Sequence, residues 1–107
     1  MLSVNRETKT NSENIVITLS FDLLKELRWL HEDKVTVKVA PDGSAIRLER
    51  SKTGYMISRH GGKKNLGISG TVKMKGTRVP WLKLTERTVV QRDQIEVDAA
   101  GFTALLK

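Results

Sequence analysis

The chain has no cysteine among its 107 residues. Disulfides and thiolate metal sites are thereby excluded. A cysteine-free chain suits a reducing compartment, and a cytoplasmic location is expected. It has only two histidines, His31 and His60, and no carboxylate lies near His60 in the sequence. A zinc site would lack ligands, so neither a metal nor another cofactor is expected. The longest apolar runs fall far short of the ~20 residues of a membrane helix. The N-terminus, MLSVNRETKTNSENIV, lacks the apolar core of a signal peptide. The basic stretch described below lacks the apolar stripe of an interfacial helix, so no membrane partner is expected. Nucleotide and hydrolase fingerprints are missing too. There is no G-x-S-x-G, no G-x-x-x-x-G-K-[ST] and no G-x-G-x-x-G. The chain does not read as an enzyme.

One further absence is local. From Ser51 to Thr85 there is no Asp or Glu, while Lys52, Arg59, Lys63, Lys64, Lys73, Lys75, Arg78 and Lys83 give that stretch a charge of +8. The first fifty residues balance at zero, residues 86–107 carry −1, and the whole chain carries +7. A stretch this free of acids makes a positive surface wherever it folds, and such surfaces attract polyanions.

The length fits one domain with a modest core. Aromatic residues number only five, which leaves room for a core shared between two copies. Residues 2–10 read either as a short strand or as a loose arm. Asn11-Ser12-Glu13-Asn14 reads as a turn. The β-branched run Ile15-Val16-Ile17-Thr18-Leu19 is a strand. Ser20 is a natural helix N-cap, with Asp22 favoured in the first turn. In residues 21–30, Leu23, Leu27 and Leu30 fall at helical spacing and predict the buried face. Val35, Val37 and Val39 alternate with polar residues, Pro41-Asp42-Gly43 turns, and Ala45-Ile46-Arg47-Leu48-Glu49 returns as the partner strand.

The second half is rich in glycine. Residues 59–64 read as a flexible basic loop. Thr71-Val72-Lys73-Met74-Lys75 alternates as a strand whose lysines share one face. Thr88-Val89-Val90 and Ile95-Glu96-Val97 are short strands. Asp98 caps an expected last helical turn over 99–106, where Phe102, Leu105 and Leu106 pack. The fold class is thus α+β and β-rich. Residues 1–50 form a strand–helix–hairpin unit, and residues 51–107 form a basic, glycine-rich β segment packed on it as one domain.

The string IVITLS-FDLLKELRWL-HED-KVTVKV-APDG-SAIRLER, from Ile15 to Arg50, resembles the AbrB/MazE/SpoVT family of swapped-hairpin DNA-binding domains. Leu19-Ser20 stands where the family often has Ile-Pro, and Asp33 resembles the Asp before its Val-x-Val strand. Asn14 and Arg28 stand where the family has glycines. The resemblance implies an intertwined homodimer that binds DNA near its N-terminal strand, where Arg6 and Lys9 lie.

Two maps of the binding site follow. The charge map nominates Arg59, Lys63, Lys64, Lys73, Lys75 and Arg78 as contacts to a nucleic-acid backbone. The resemblance nominates Arg6 and Lys9. Tyr55 lies among the basic residues, where it either stacks on a base or packs; Trp81, between Pro80 and Leu82, reads as core. The expected function is nucleic-acid binding, with DNA ahead of RNA, as a small dimeric transcriptional regulator or antitoxin-type repressor. The alternative is an inhibitor or adaptor whose basic face docks on an acidic protein.

Overall fold

The structure is a computed structural model that describes residues 2–9, 12–30, 32–60, 69–78, 82 and 87–106. The N-terminal residues settle as a strand. β1 (Leu2–Lys9) and β2 (Ser12–Leu19) form an antiparallel hairpin in which Leu2 faces Leu19 and Lys9 faces Ser12. The turn expected over residues 11–14 is therefore shorter, because Ser12, Glu13 and Asn14 pair with β1.

β2 leads into α1 (Phe21–Leu27), and Ser20 caps it as expected: its Oγ accepts a hydrogen bond from the Leu23 N–H at 3.2 Å. The helix face differs from the expected one. Leu23 and Leu24 are buried, Leu27 is only partly buried, and Leu30 is 70% exposed. The cause lies at the helix end. Arg28 takes a left-handed conformation (φ 60°), its N–H donates to the Lys25 carbonyl, and the Trp29 N–H donates to the Leu24 carbonyl. This is a Schellman turn with arginine where glycine is usual. The turn carries Trp29 into the core, where its ring packs 5.7 Å from that of Phe102, and sends Leu30 outward.

β3 (Lys34–Val39) and β4 (Ala45–Ser51) form the expected hairpin, with Gly43 at φ 72° in its turn. Among the described residues there follow β5 (Tyr55–Met56), β6 (Ser58–His60), β7 (Ser69–Lys75), β8 (Thr88–Val90) and β9 (Ile95–Val97), with 3-10 turns at Gly76–Arg78 and Arg92–Gln94.

The expected C-terminal helix is instead β10 (Gly101–Leu105), paired antiparallel with β4 and β9. Buried Phe102 and Ala104 alternate with Thr103 and exposed Leu105. That two-residue period suits a sheet face rather than a helix stripe. Gly101 is part of the reason. A Cβ there would stand 2.0 Å from the Leu48 carbonyl oxygen, so only glycine lets β10 approach β4 this closely.

The strands make two antiparallel sheets, ordered β6-β7-β2-β1-β8 and β5-β3-β4-β10-β9. Strands from both halves of the chain interleave in each sheet. Their inner faces meet in one core that includes Ile15, Ile17, Leu19, Val72, Ile46, Leu48 and Phe102. The Cα radius of gyration, 13.1 Å, is that of a single domain of this length. Among the described residues no helix is long and apolar enough to cross a membrane.

Candidate nucleic-acid interface

Strand parity sorts the nominated cations. On β7, Val72 and Met74 face the core, while Lys73 and Lys75 are exposed on the outer face of the first sheet. Directly across on β2 stand Val16 and Asn14, neither of them acidic. Among the described residues neither lysine has an ion pair. This matches the face expected from the alternation.

The outer face of the second sheet is different. Arg47 donates to Glu49 (2.9 Å), to Thr103 (3.0 Å) and to Asp98 (3.0 Å), and the Lys38 ammonium lies 3.7 Å from Glu49. The Arg47 hydrogen bond, joined by one from the Gly101 N–H, holds the Asp98 carboxyl down at about 2. The Glu49 carboxyl is lowered mainly by its bond from Arg47, and the Arg47 pKa is raised by Asp98 and Glu49 in that order. This face neutralises itself and offers a polyanion little.

Arg6 is drawn inward. It shares the parity of Leu2 and Val4, the buried residues of β1, and its side chain is only 16% exposed. Its guanidinium forms an ion pair with Glu13 and donates to the Leu82 carbonyl. It lies under Gly76, where a Cβ would meet Nη1 at 2.9 Å. Arg6 is therefore a tie between β1, β2 and the residues after β7, and two of its donors are used inside the fold. Lys9 pairs with Ser12 at the far end of the hairpin. Arg59 sits on β6 opposite Gly70. Lys63, Lys64, Trp81 and His31 lie outside the described residues.

Arg78 and Tyr55 come together on another surface. The Arg78 guanidinium donates to the Tyr55 hydroxyl at 3.0 Å, with its carbon 5.9 Å from the ring centre, at the edge of cation–π range. They border a groove of about 510 Å³ between the sheets, lined also by Val37, Val39, Gly54 and Met74. The groove and the lysine face are separated by β7 itself, which turns Met74 inward and Lys73 and Lys75 outward. Sequence reasoning found both cationic groups but not their division. It also missed Arg47, whose acidic partner Asp98 is distant in sequence.

A third feature lies at the end of α1. Phe21, Leu24, Lys25, Arg28, Trp29 and Leu30 line a mostly apolar hollow of about 370 Å³. Among the described residues there is no cluster of His, Asp and Glu that could hold a metal ion. No family model matches the chain, and neither does any curated protein or solved structure.

Proposed function

We propose that the protein binds nucleic acid through the outer face of the first sheet, with Lys73 and Lys75 at its centre. The contrast between the two outer faces carries this reading. One ties its cations into an ion-pair network, and the other leaves two lysines exposed beside uncharged neighbours. Exposed lysines without partners are free to displace counterions from phosphates. Lys63 and Lys64, from the same stretch of chain, and Arg59 are kept as proposed contacts on charge alone, since Arg59 stands opposite Gly70, at the register parity of Val72 and Met74 rather than that of Lys73 and Lys75. Lys9, at the hairpin end of the same sheet, is kept as well.

The narrower reading is a transcriptional regulator or antitoxin-type repressor of the AbrB/MazE/SpoVT kind. The order β2–α1–β3–β4 supports it. Hairpin exchange between two copies is not required. β2 is paired on both sides by β1 and β7, and the β3–β4 hairpin is flanked by β5 and β10, all within one chain. One chain also buries its own core, so the homodimer is proposed on the resemblance alone.

Lys73→Gln with Lys75→Gln is the test, read as affinity for duplex and single-stranded DNA over a range of salt concentrations. The fold should be untouched, since exposed substitutions change stability by less than about 0.5 kcal/mol each. The slope of log affinity against log salt should flatten by about 0.9 for each duplex phosphate that the variant no longer neutralises. An unchanged slope would remove these lysines from the interface.

The hollow beside α1 favours a second reading, an adaptor for an acidic protein. Phe21 is 42% exposed and Leu30 70%, and Lys25 and Arg28 lie between them without an ion pair among the described residues. A partner segment with an apolar anchor and flanking carboxylates would complement it. Lys25→Glu with Arg28→Glu would abolish such docking and leave the lysine face of the first sheet intact.

A further inference from the structure

The groove beside Tyr55 is built on a strand edge that is only half used. β4 covers one side of β3 along its whole length, whereas β5 covers the other side only at Lys34 and Val35. From Thr36 to Val39 that second edge is open among the described residues. Backbone direction alternates along an antiparallel pair. The Ala40 N–H donates to the Ala45 carbonyl at 2.9 Å, so Lys38 and Thr36 also exchange their bonds with β4. Val37 and Val39 therefore turn their N–H and C=O groups away from β4, into the groove. Gly54 closes against this edge at Val35. It has φ 124° and passes so close to β3 that a Cβ would stand 2.4 Å from the Val35 carbonyl oxygen.

The groove thus combines four elements: an aromatic ring (Tyr55), an apolar floor (Val37, Val39, Met74), an exposed guanidinium (Arg78) and a short row of backbone donors and acceptors. The row is short. Val37 and Val39 are two residues apart, about 7 Å along a strand. Strands in globular proteins most often run about five or six residues, so this edge is short for a docked peptide strand. A row of two matches the hydrogen-bonding edge of one planar heterocycle. Lys38 and Arg78 both line the groove, but the Lys38 ammonium lies 3.7 Å from Glu49, which leaves Arg78 as the groove's cation without a carboxylate partner among the described residues.

We propose that this groove takes one unpaired nucleobase of a single-stranded nucleic acid. The base packs on Tyr55 and the valine floor, its edge bonds to the backbone of Val37 and Val39, and its phosphate sits on Arg78. A strand rounding the end of β7 at the Gly76–Arg78 turn reaches this groove from the Lys75 side. The inference rests on the nucleic-acid reading above and sharpens it from a charge match to a preference for unpaired bases.

The experiment compares a labelled oligothymidylate with a labelled mixed-sequence duplex, binding to the parent protein, Tyr55→Ala, Tyr55→Phe, Arg78→Ala and the Lys73→Gln/Lys75→Gln pair. Base–aromatic stacking sets the expected loss for Tyr55→Ala on the single strand at roughly 5- to 150-fold, with duplex binding unchanged. Tyr55→Phe keeps the ring and should keep the affinity. Arg78→Ala, at an exposed position, should weaken the single strand while leaving the fold intact, so the test survives if Tyr55→Ala misfolds. Amide shifts of Val37 and Val39 on adding the oligothymidylate would locate the base at the open edge. If single strand and duplex bind alike and neither Tyr55→Ala nor Arg78→Ala separates them, the groove inference falls while the lysine-face reading stands. If neither nucleic acid binds the parent protein, the lysine-face reading falls and takes this one with it.

Discussion

Trp29→Ala should be the most damaging truncation at the end of α1, and Leu30→Ala nearly silent. Trp29 is 6% exposed and packs on Phe102 with ring centres 5.7 Å apart. Removing a buried tryptophan side chain costs about 3–5 kcal/mol, including the cavity it leaves. The tilted ring pair supplies about 0.5–1.5 kcal/mol of that, measurable as the coupling between Trp29→Ala and Phe102→Leu in a double-mutant cycle. Leu27, only partly buried, should lose less than the roughly 2–5 kcal/mol of a fully buried leucine. Leu30→Ala should fall within about 0.5 kcal/mol of the parent. Urea unfolding followed by far-ultraviolet circular dichroism resolves these differences. With a slope of about 1–3 kcal/mol per molar urea, the Trp29 variant should unfold at least ~1 M earlier. Arg28→Gly completes the series. It relieves a left-handed arginine, and should stabilise by up to about 1–2 kcal/mol, reduced by the entropy glycine loses on folding. If Leu30→Ala costs as much as Trp29→Ala, and Arg28→Gly stabilises nothing, then the helix buries its Leu23/Leu27/Leu30 face and the turn described here is wrong.

Acid should expose the Arg47 network. The folded carboxyl of Asp98 titrates near 2, below its ordinary 3.8, so its stabilisation is complete above about pH 4 and fades as pH falls toward 2. The stability gap between the parent and Asp98→Asn should therefore shrink across that window, and a gap constant from pH 5 to 2 would show the ion pair to be idle. Gly101→Ala should destabilise by more than the roughly 1–3 kcal/mol of ordinary overpacking, because the added methyl group meets the Leu48 carbonyl and the Glu49 Cα, backbone atoms that cannot swing aside; a thermal melt within a degree of the parent would mean that β10 does not lie this close to β4.

Local chemistry made much of the fold legible. Alternation at Val35-Thr36-Val37 and at Val72-Lys73-Met74 gave strands with the right inner faces, and Ser20 marked the helix start. What failed depended on single backbone events. One left-handed arginine reversed the fates of Trp29 and Leu30. Residues 101–105 carry a two-residue alternation, but Phe102, Leu105 and Leu106 also fit a helix, and the free edge of β4 that decides between them lies some fifty residues away in the chain. The hairpin unit was legible as an order of elements. Its sheet partners were not, because β7 and β10 reach β2 and β4 from the other half of the sequence.

The site shows the same division. Lys73 and Lys75 could be placed from β7 alone, since strand period fixes their face. Arg6 could have been placed the same way: positions 2, 4 and 6 of β1 share a side, and Leu2 and Val4 mark it as the core side. An arginine there must find partners. Glu13 lies two residues from Ile15, the cross-strand partner of Arg6, and is within reach across the hairpin. The resemblance treated Arg6 as a cation on offer, whereas parity places it on the core side, where it pairs with Glu13. The Tyr55–Arg78 groove has no such local signature. Its wall, floor and cation come from β5, from β3 and β7, and from the turn after β7, and only the packing of the two sheets brings them together. A binding surface carried by one strand can be read from its alternation, but a groove assembled from several segments becomes visible only when the sheets close.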